Sequence, residues 1–178
     1  MSNIARPQAP KSRPKKKPDG EPAAAPNSAP AEPLCIRAVH LSDVDAVSAI
    51  DARVTGIEKR AYFLSLYQRY ADAVATGQHF LVATRQDEVI GFVIGEVRDW
   101  EFGSPPCGWV FAIDVRPDDR LGGTATQLLQ AICQGFRSAG VSKVRTLLAR
   151  ENTLILSFFR SQGMMIAPFI PLELDLDT

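Results

Sequence analysis

The stretch Val115-Arg116-Pro117-Asp118-Asp119-Arg120-Leu121-Gly122-Gly123-Thr124-Ala125 constrains this chain more than any other. An apolar run from Trp109 to Val115 stops at Pro117, and two acids and an arginine follow. Past the glycine pair, Leu128, Leu129, Ile132 and Phe136 recur at helical spacing. The order reads as strand, tight loop, helix. A helix that opens on two glycines brings bare amides to a ligand, because no Cβ shields them, and about four N–H groups of its first turn have no partner within the helix. Such an end suits a phosphate. The helix dipole, equivalent to roughly half a positive charge there, adds attraction. Spacing alone is also met by a plain turn. Two common phosphate loops are absent: there is no Gly-x-x-x-x-Gly-Lys-Ser/Thr, and no Gly-x-Gly-x-x-Gly follows a strand.

Arg120-Leu121-Gly122-Gly123-Thr124-Ala125 resembles the Arg/Gln-x-x-Gly-x-Gly/Ala signature of the GNAT acyltransferase superfamily, with Val115-x-Pro117 before it and Leu128-Leu129 after it. A second block, Asn152, Ile155, Phe158, Phe159, Gly163 and Met164, is similar to the family's Asn-x-x-Ala-x-x-Leu-Tyr-x-x-x-Gly-Phe, in the expected order and separation. The resemblance covers Leu34 to the C-terminus and implies a compact, protein-acetyltransferase-like N-acetyltransferase.

At 178 residues the chain suits one domain with a substantial core. Apolar content of 46% and charged content of 22% are those of an ordinary soluble protein. The formal net charge is zero, so neither nucleic acid nor membrane is expected as a global partner. Cys35, Cys107 and Cys133 are odd in number and far apart, and His40 and His79 are the only histidines, so neither a disulfide framework nor a metal site is expected. Three small buried thiols in a reducing compartment are the expectation. No run approaches a membrane span and no apolar segment follows the basic start, which reads as a cytoplasmic protein.

Residues 1–33 are Pro-, Ala- and Lys-rich with almost no large apolar side chain, and read as a disordered tail. Lys11 to Lys17 forms a basic run in it, read as solvated. The domain, 34–178, begins with a strand at Leu34–Val39, then a helix capped by Ser42 with Val44, Val47 and Ile50 on one face. A second helix is expected from about Ile57 to Ala75. His79–Arg85 and Glu88–Arg98 read as a hairpin about Gln86-Asp87, and Cys107–Val115 as the fourth strand. After the glycine loop and its helix come a fifth strand at Val144–Ala149, a helix from Glu151-Asn152 to Gly163, and one or two closing strands in Met165–Leu176, broken by Pro168 and Pro171. The architecture is α+β: a mixed, mostly antiparallel sheet of six to seven strands flanked by about four helices.

The resemblance implies direct transfer of an acetyl group from acetyl-CoA to a primary amine, with a protein lysine or N-terminus as acceptor by analogy of fold. Small-molecule amines and self-association stay open. By the same resemblance, strands four and five splay and admit the pantetheine arm beside Val115. The amides from Leu121 to Ala125 hold the pyrophosphate with Arg120 at the mouth, and Asn152 bonds pantetheine. Asp51, Arg53, Glu58, Tyr62 and Arg69, on the first two helices, are acceptor-side candidates. An amine near pKa 10.4 must shed a proton. Where some relatives carry a glutamate on the fourth strand, this chain has Trp109. Glu96, acting through water, is the first candidate base and Asp114 the second, with Asp114 expected on the opposite strand face from Trp109. Phe159 stands where the family's tyrosine protonates the thiolate. No hydroxyl on that helix shares its face, which leaves water, or Tyr62, Tyr67 or Tyr70, as the acid, or else a non-catalytic acyl-CoA-binding module.

Overall fold

The computed structural model describes residues 33–70 and 77–176. The expected tail at 1–33 therefore lies outside the described residues, apart from Pro33, as does the end expected for the second helix at Ala75. Five strands, β1 (Cys35–Ala38), β2 (Gln78–Arg85), β3 (Glu88–Arg98), β4 (Cys107–Val115) and β5 (Val144–Arg145), and four helices, α1 (Val44–Thr55), α2 (Arg60–Tyr70), α3 (Thr124–Ser138) and α4 (Thr153–Ser161), make up the fold. The strands form one sheet in chain order, antiparallel from β1 to β4 and parallel between β4 and β5. No helix of the described residues is long and apolar enough to cross a membrane.

Each sheet face is buried by its own helices, as the period-2 pattern of β2 and β3 and the 3.6 period of the helices require. On one face α1 and α2 pack Val44, Val47, Ile50, Phe63, Leu66 and Tyr70 against Phe80, Val82, Phe92 and Ile94. On the other, α3 packs Leu128, Leu129, Ile132 and Phe136 against Ile90, Val93, Val110, Ile113 and Val115. Burial of each large apolar side chain contributes about 2 kcal/mol. Gly108 leaves room for the Phe136 ring of α3 against the sheet; a Cβ built there would collide with that ring.

β4 carries an irregularity that decides the site. Its register against β3 runs Phe92↔Asp114, Val93↔Ile113, Ile94↔Ala112, then shifts to Gly95↔Val110 and Glu96↔Trp109. Phe111 is the extra residue of a β-bulge. Because paired residues share a face, Trp109, Ala112 and Asp114 all lie on the α1/α2 face with Phe92, Ile94 and Glu96. The expectation that Trp109 and Asp114 face opposite ways is thereby corrected: five positions of regular strand would separate them, and the bulge restores them to one side.

Other differences are local. Ser42 does not cap α1; a 3₁₀ turn at Leu41–Asp43 precedes it, and the Asp43 carboxylate accepts the His40 N–H at 2.7 Å and two hydrogen bonds from Arg37. α2 starts three residues later than expected, at Arg60. β5 is two residues rather than six, and Met165–Leu176 forms no strand, so the sheet has five strands. Pro168 and Pro171 remove ladder donors there, β5 offers almost no ladder to join, and Met165, Ile166, Ile170, Leu172 and Leu174 remain exposed. Cys35 is exposed and Cys133 half-buried; only Cys107 is the buried thiol expected.

Candidate active site

β4 ends at Val115, and a 3₁₀ segment, Pro117–Gly122, turns the chain into α3. The turn is held from below by Asp119, a buried carboxylate that takes Arg85 at 2.5 Å and Arg116 at 2.8 Å. Arg116 in turn reaches Glu88 at 3.1 Å. Such nearly buried pairs fix geometry, since removing one partner leaves the other uncompensated. Thr124, fully buried, sits at the start of α3 with its hydroxyl 3.5 Å from the Asp119 carbonyl. Above these anchors Leu121, Gly122 and Gly123 are exposed.

Gly123 is the N-cap of α3, with φ +73° and ψ 10°, a left-handed conformation that strains any side chain. A Cβ built on Gly123 would meet no atom within 4 Å, so the backbone faces open space; one on Gly122 would lie 3.5 Å from an Arg85 guanidinium nitrogen. The helix begins one residue later than the glycine pair suggested, and its free amides start at Thr124 and Ala125. The Arg120 Nε donates to the Val115 carbonyl at 3.1 Å, which brings that exposed guanidinium to the mouth of the loop.

β4 and β5 are joined only at Gly108↔Val144 and Trp109↔Arg145, with the Gly108 N–H donating to the Lys143 carbonyl at 2.9 Å. Beyond Trp109 the strands part, and among the described residues no strand pairs with 110–115 on that edge. The bulge at Phe111 lies just past the fork. Asn152 caps α4, its side-chain oxygen accepting the Ile155 N–H at 3.4 Å. Phe159 is buried among the α3-side core residues and also lines a cavity of about 410 Å³ beside the fork.

The two candidate bases differ in surroundings. Glu96, directly across from Trp109, accepts a hydrogen bond from the Tyr70 hydroxyl and another from Arg98 Nε at 2.9 Å. Burial pushes its carboxyl up, but the Tyr70 and Arg98 hydrogen bonds outweigh that and hold it below the usual range. Tyr70 moves the other way: burial, then Glu96, raises its pKa, so the phenol keeps its proton. Its ring meets Phe111 edge-on at 6.2 Å, and Arg98 stacks over Trp109 at 4.7 Å. Asp114 lies opposite Phe92, four positions of β3 from Glu96, or about 13 Å along the sheet. Burial, with the neighbouring Asp51 charge, raises its pKa to about 6.

Among the acceptor-side candidates, Asp51 is buried and paired with Lys59 at 2.9 Å, near Asp114. Arg69 lies over the Tyr70 ring at 5.7 Å, while Arg53, Glu58 and Tyr62 are exposed. Sequence reasoning did not single out Arg98, Arg145 or Asp119. Of these only Asp119 had a local signal, an acid inside the motif; the others gain meaning only once the strands are paired.

The fold is shared with known acetyltransferases. The aminoglycoside N-acetyltransferase AAC(6')-Iy, solved with CoA, superposes with a TM-score of 0.72 at 18% identity, covering 84% of this chain and 98% of that one. Ribosomal-protein-alanine N-acetyltransferase from Brucella melitensis gives 0.65 at 21% identity, covering 81% and 99%. Ard1 from Thermoplasma volcanium gives 0.63 at 21%, covering 75% and 84%. A search of curated protein sequences finds no match. The family model for the acetyltransferase (GNAT) family matches residues 47–164, which span the anchored loop, the forked strands and the Asn152-capped helix. On that match the chain belongs to the acetyltransferase (GNAT) family.

Proposed function

We propose that this enzyme transfers an acetyl group from acetyl-CoA to a primary amine by direct attack, with no covalent enzyme intermediate. The observation that carries the reading is the fork. An open strand edge from Val110 to Val115 leads from the bulge to a helix N-terminus that faces open space at Gly123. An extended pantetheine arm suits the first, by adding as a strand, and a pyrophosphate suits the second. The amides from Leu121 to Ala125 hold the pyrophosphate, Arg120 supplies a cation, and Asn152 and Phe159 border the arm. AAC(6')-Iy, with the same fold, is solved in complex with CoA, which supports the same ligand here.

Glu96 receives the amine proton through water. It stays ionised at neutral pH and stands at the fork, whereas Asp114 lies beyond the bulge against Asp51. In this role it takes a proton on its way to solvent rather than holding one. The thiolate takes its proton from water, since Phe159 has none to give and Tyr70 is committed to Glu96; a thiol pKa of about 8.5 makes it a fair leaving group. By their names the Brucella enzyme acts on a ribosomal-protein alanine and AAC(6')-Iy on an aminoglycoside, which supports either a protein amine or a small-molecule amine as the acceptor here.

Calorimetric titration with acetyl-CoA, CoA and ATP tests the first half: micromolar binding of both CoA species without ATP is expected, and loss of CoA binding would sink it. Thiol release across an amine panel tests the second. An acidic limb of kcat/KM near pH 6 would transfer the base role to Asp114. CoA binding without turnover on any amine would leave a non-catalytic binding module.

A further inference from the structure

The cavity at the fork, about 410 Å³, has a one-sided polar lining. Its apolar wall includes Leu148, Leu156 and Phe159. Its polar groups include Arg145, Arg160 and the indole of Trp109, and among the described residues no aspartate or glutamate lines it. Among the described residues neither arginine has a carboxylate within ion-pair distance. Arg145 is instead stacked on Phe169, 4.1 Å from the ring centroid, an arrangement that immobilises a guanidinium and leaves its in-plane donors available. The Trp109 Nε1–H is buried and has no acceptor among the described residues, which is rare in a folded protein. Across the strand from that indole stands Glu96, an ionised carboxylate.

We propose that this cavity receives the acceptor, and that the acceptor is a small amine carrying a carboxylate on an apolar body, in the manner of a free apolar amino acid. The inference rests on the acetyl-transfer reading above and narrows it. The two guanidiniums are donors, and they complement a carboxylate with charge-assisted hydrogen bonds. The apolar wall takes the side chain, and the ammonium end is left toward Glu96 and the bulge, where the thioester would lie. The same donors discriminate by charge: a polycationic amine, or a lysine side chain on a protein surface, would bring like charge beside Arg145 and Arg160, where no described lining residue is an acid.

The test uses the full chain saturated with CoA and titrated calorimetrically with N-acetyl-L-leucine and with its uncharged amide. The acid should bind at least about tenfold more tightly than the amide. Arg145→Gln and Arg160→Gln should each shrink that preference while leaving CoA affinity unchanged. Equal affinity for acid and amide alongside normal CoA binding would overturn the proposal and leave acetyl transfer standing; spermidine binding more tightly than either would do the same. Succinyl-CoA bound more tightly than acetyl-CoA, with the advantage lost in both variants, would place the carboxylate on the acyl group and overturn the acceptor assignment. No CoA binding at all would remove both readings.

Discussion

The two ends of β4 are built in different ways. At the C-terminal end the ligand-facing surface is backbone: exposed Gly122 and Gly123 and the first amides of α3, stiffened from beneath by Asp119 and its two arginines. At the fork the surface is side chain: Trp109, Glu96, Tyr70, Arg98 and Arg145 come from four different elements and meet through strand pairing, stacking and hydrogen bonds. The first kind of site tolerates change in most of its side chains and almost none in its conformation. The second holds its conformation through substitution and changes its chemistry with each residue.

Gly123→Val should separate the two ends most sharply. A β-branched residue forced to φ +73° costs about 1–2 kcal/mol, and its methyls occupy the space open to a phosphate, so CoA affinity should fall about a hundredfold by calorimetry. Gly122→Ala, which meets only the flexible end of Arg85, should lose far less. If the two behaved alike, the conformational argument would fail. Asp119→Ala tests the anchor: two arginines lose a nearly buried partner, and stability measured by urea denaturation should drop by about 2–3 kcal/mol. Retained stability would mean that the loop is held elsewhere.

Tyr70→Phe probes the fork. Glu96 loses one of the two hydrogen bonds that hold its pKa down, so the acidic limb of kcat/KM should move to higher pH with a rate loss of several fold, on the order expected for one hydrogen bond. A rate loss with an unmoved limb would make Tyr70 merely structural. The smallest effect belongs to neither end. His79 is buried against Phe136 and Gly135 with an unpartnered Nε2, and burial lowers its pKa. The unfolded chain, with its histidines near pKa 6.5, then binds a proton that the folded state resists. Stability is full above that value and declines as pH falls below it toward the folded pKa. His79→Leu should flatten the decline seen in urea midpoints between neutral pH and pH 5.

The backbone-built end was legible in the sequence because its signals are local. A strand ending at Pro117, a glycine pair and a helical period lie within a few turns of chain, and Glu151-Asn152 marked the start of the last helix. β3 and β4 were legible to the residue for the same reason, bounded by turn residues and filled with alternating apolar side chains. The fork was not. Glu96 and Asp114 could be named as acids on strands, but which one meets Trp109 depended on Phe111 being skipped in the ladder, a matter of pairing that no single strand records. Arg98 and Arg145 read as ordinary surface charge until the strands beside Trp109 were aligned. Leu172, Leu174 and Leu176 alternate with Glu173 and Asp175 as a strand would, yet alternation needs a ladder to join, and a two-residue β5 does not provide one.

Sidedness along a strand is a matter of odd and even, and one inserted residue changes the count for everything before it. Phe111 therefore acts as a parity switch: were it paired in the ladder like its neighbours, Trp109 would turn toward α3 and take the place that Gly108 now holds there, although every residue kept its identity. A chain with this same composition of site residues but a straight fourth strand would present its indole and its carboxylates to different helices. Comparing such chains position by position would then match residues that point in opposite directions, and the correct correspondence runs through the count of residues from the bulge.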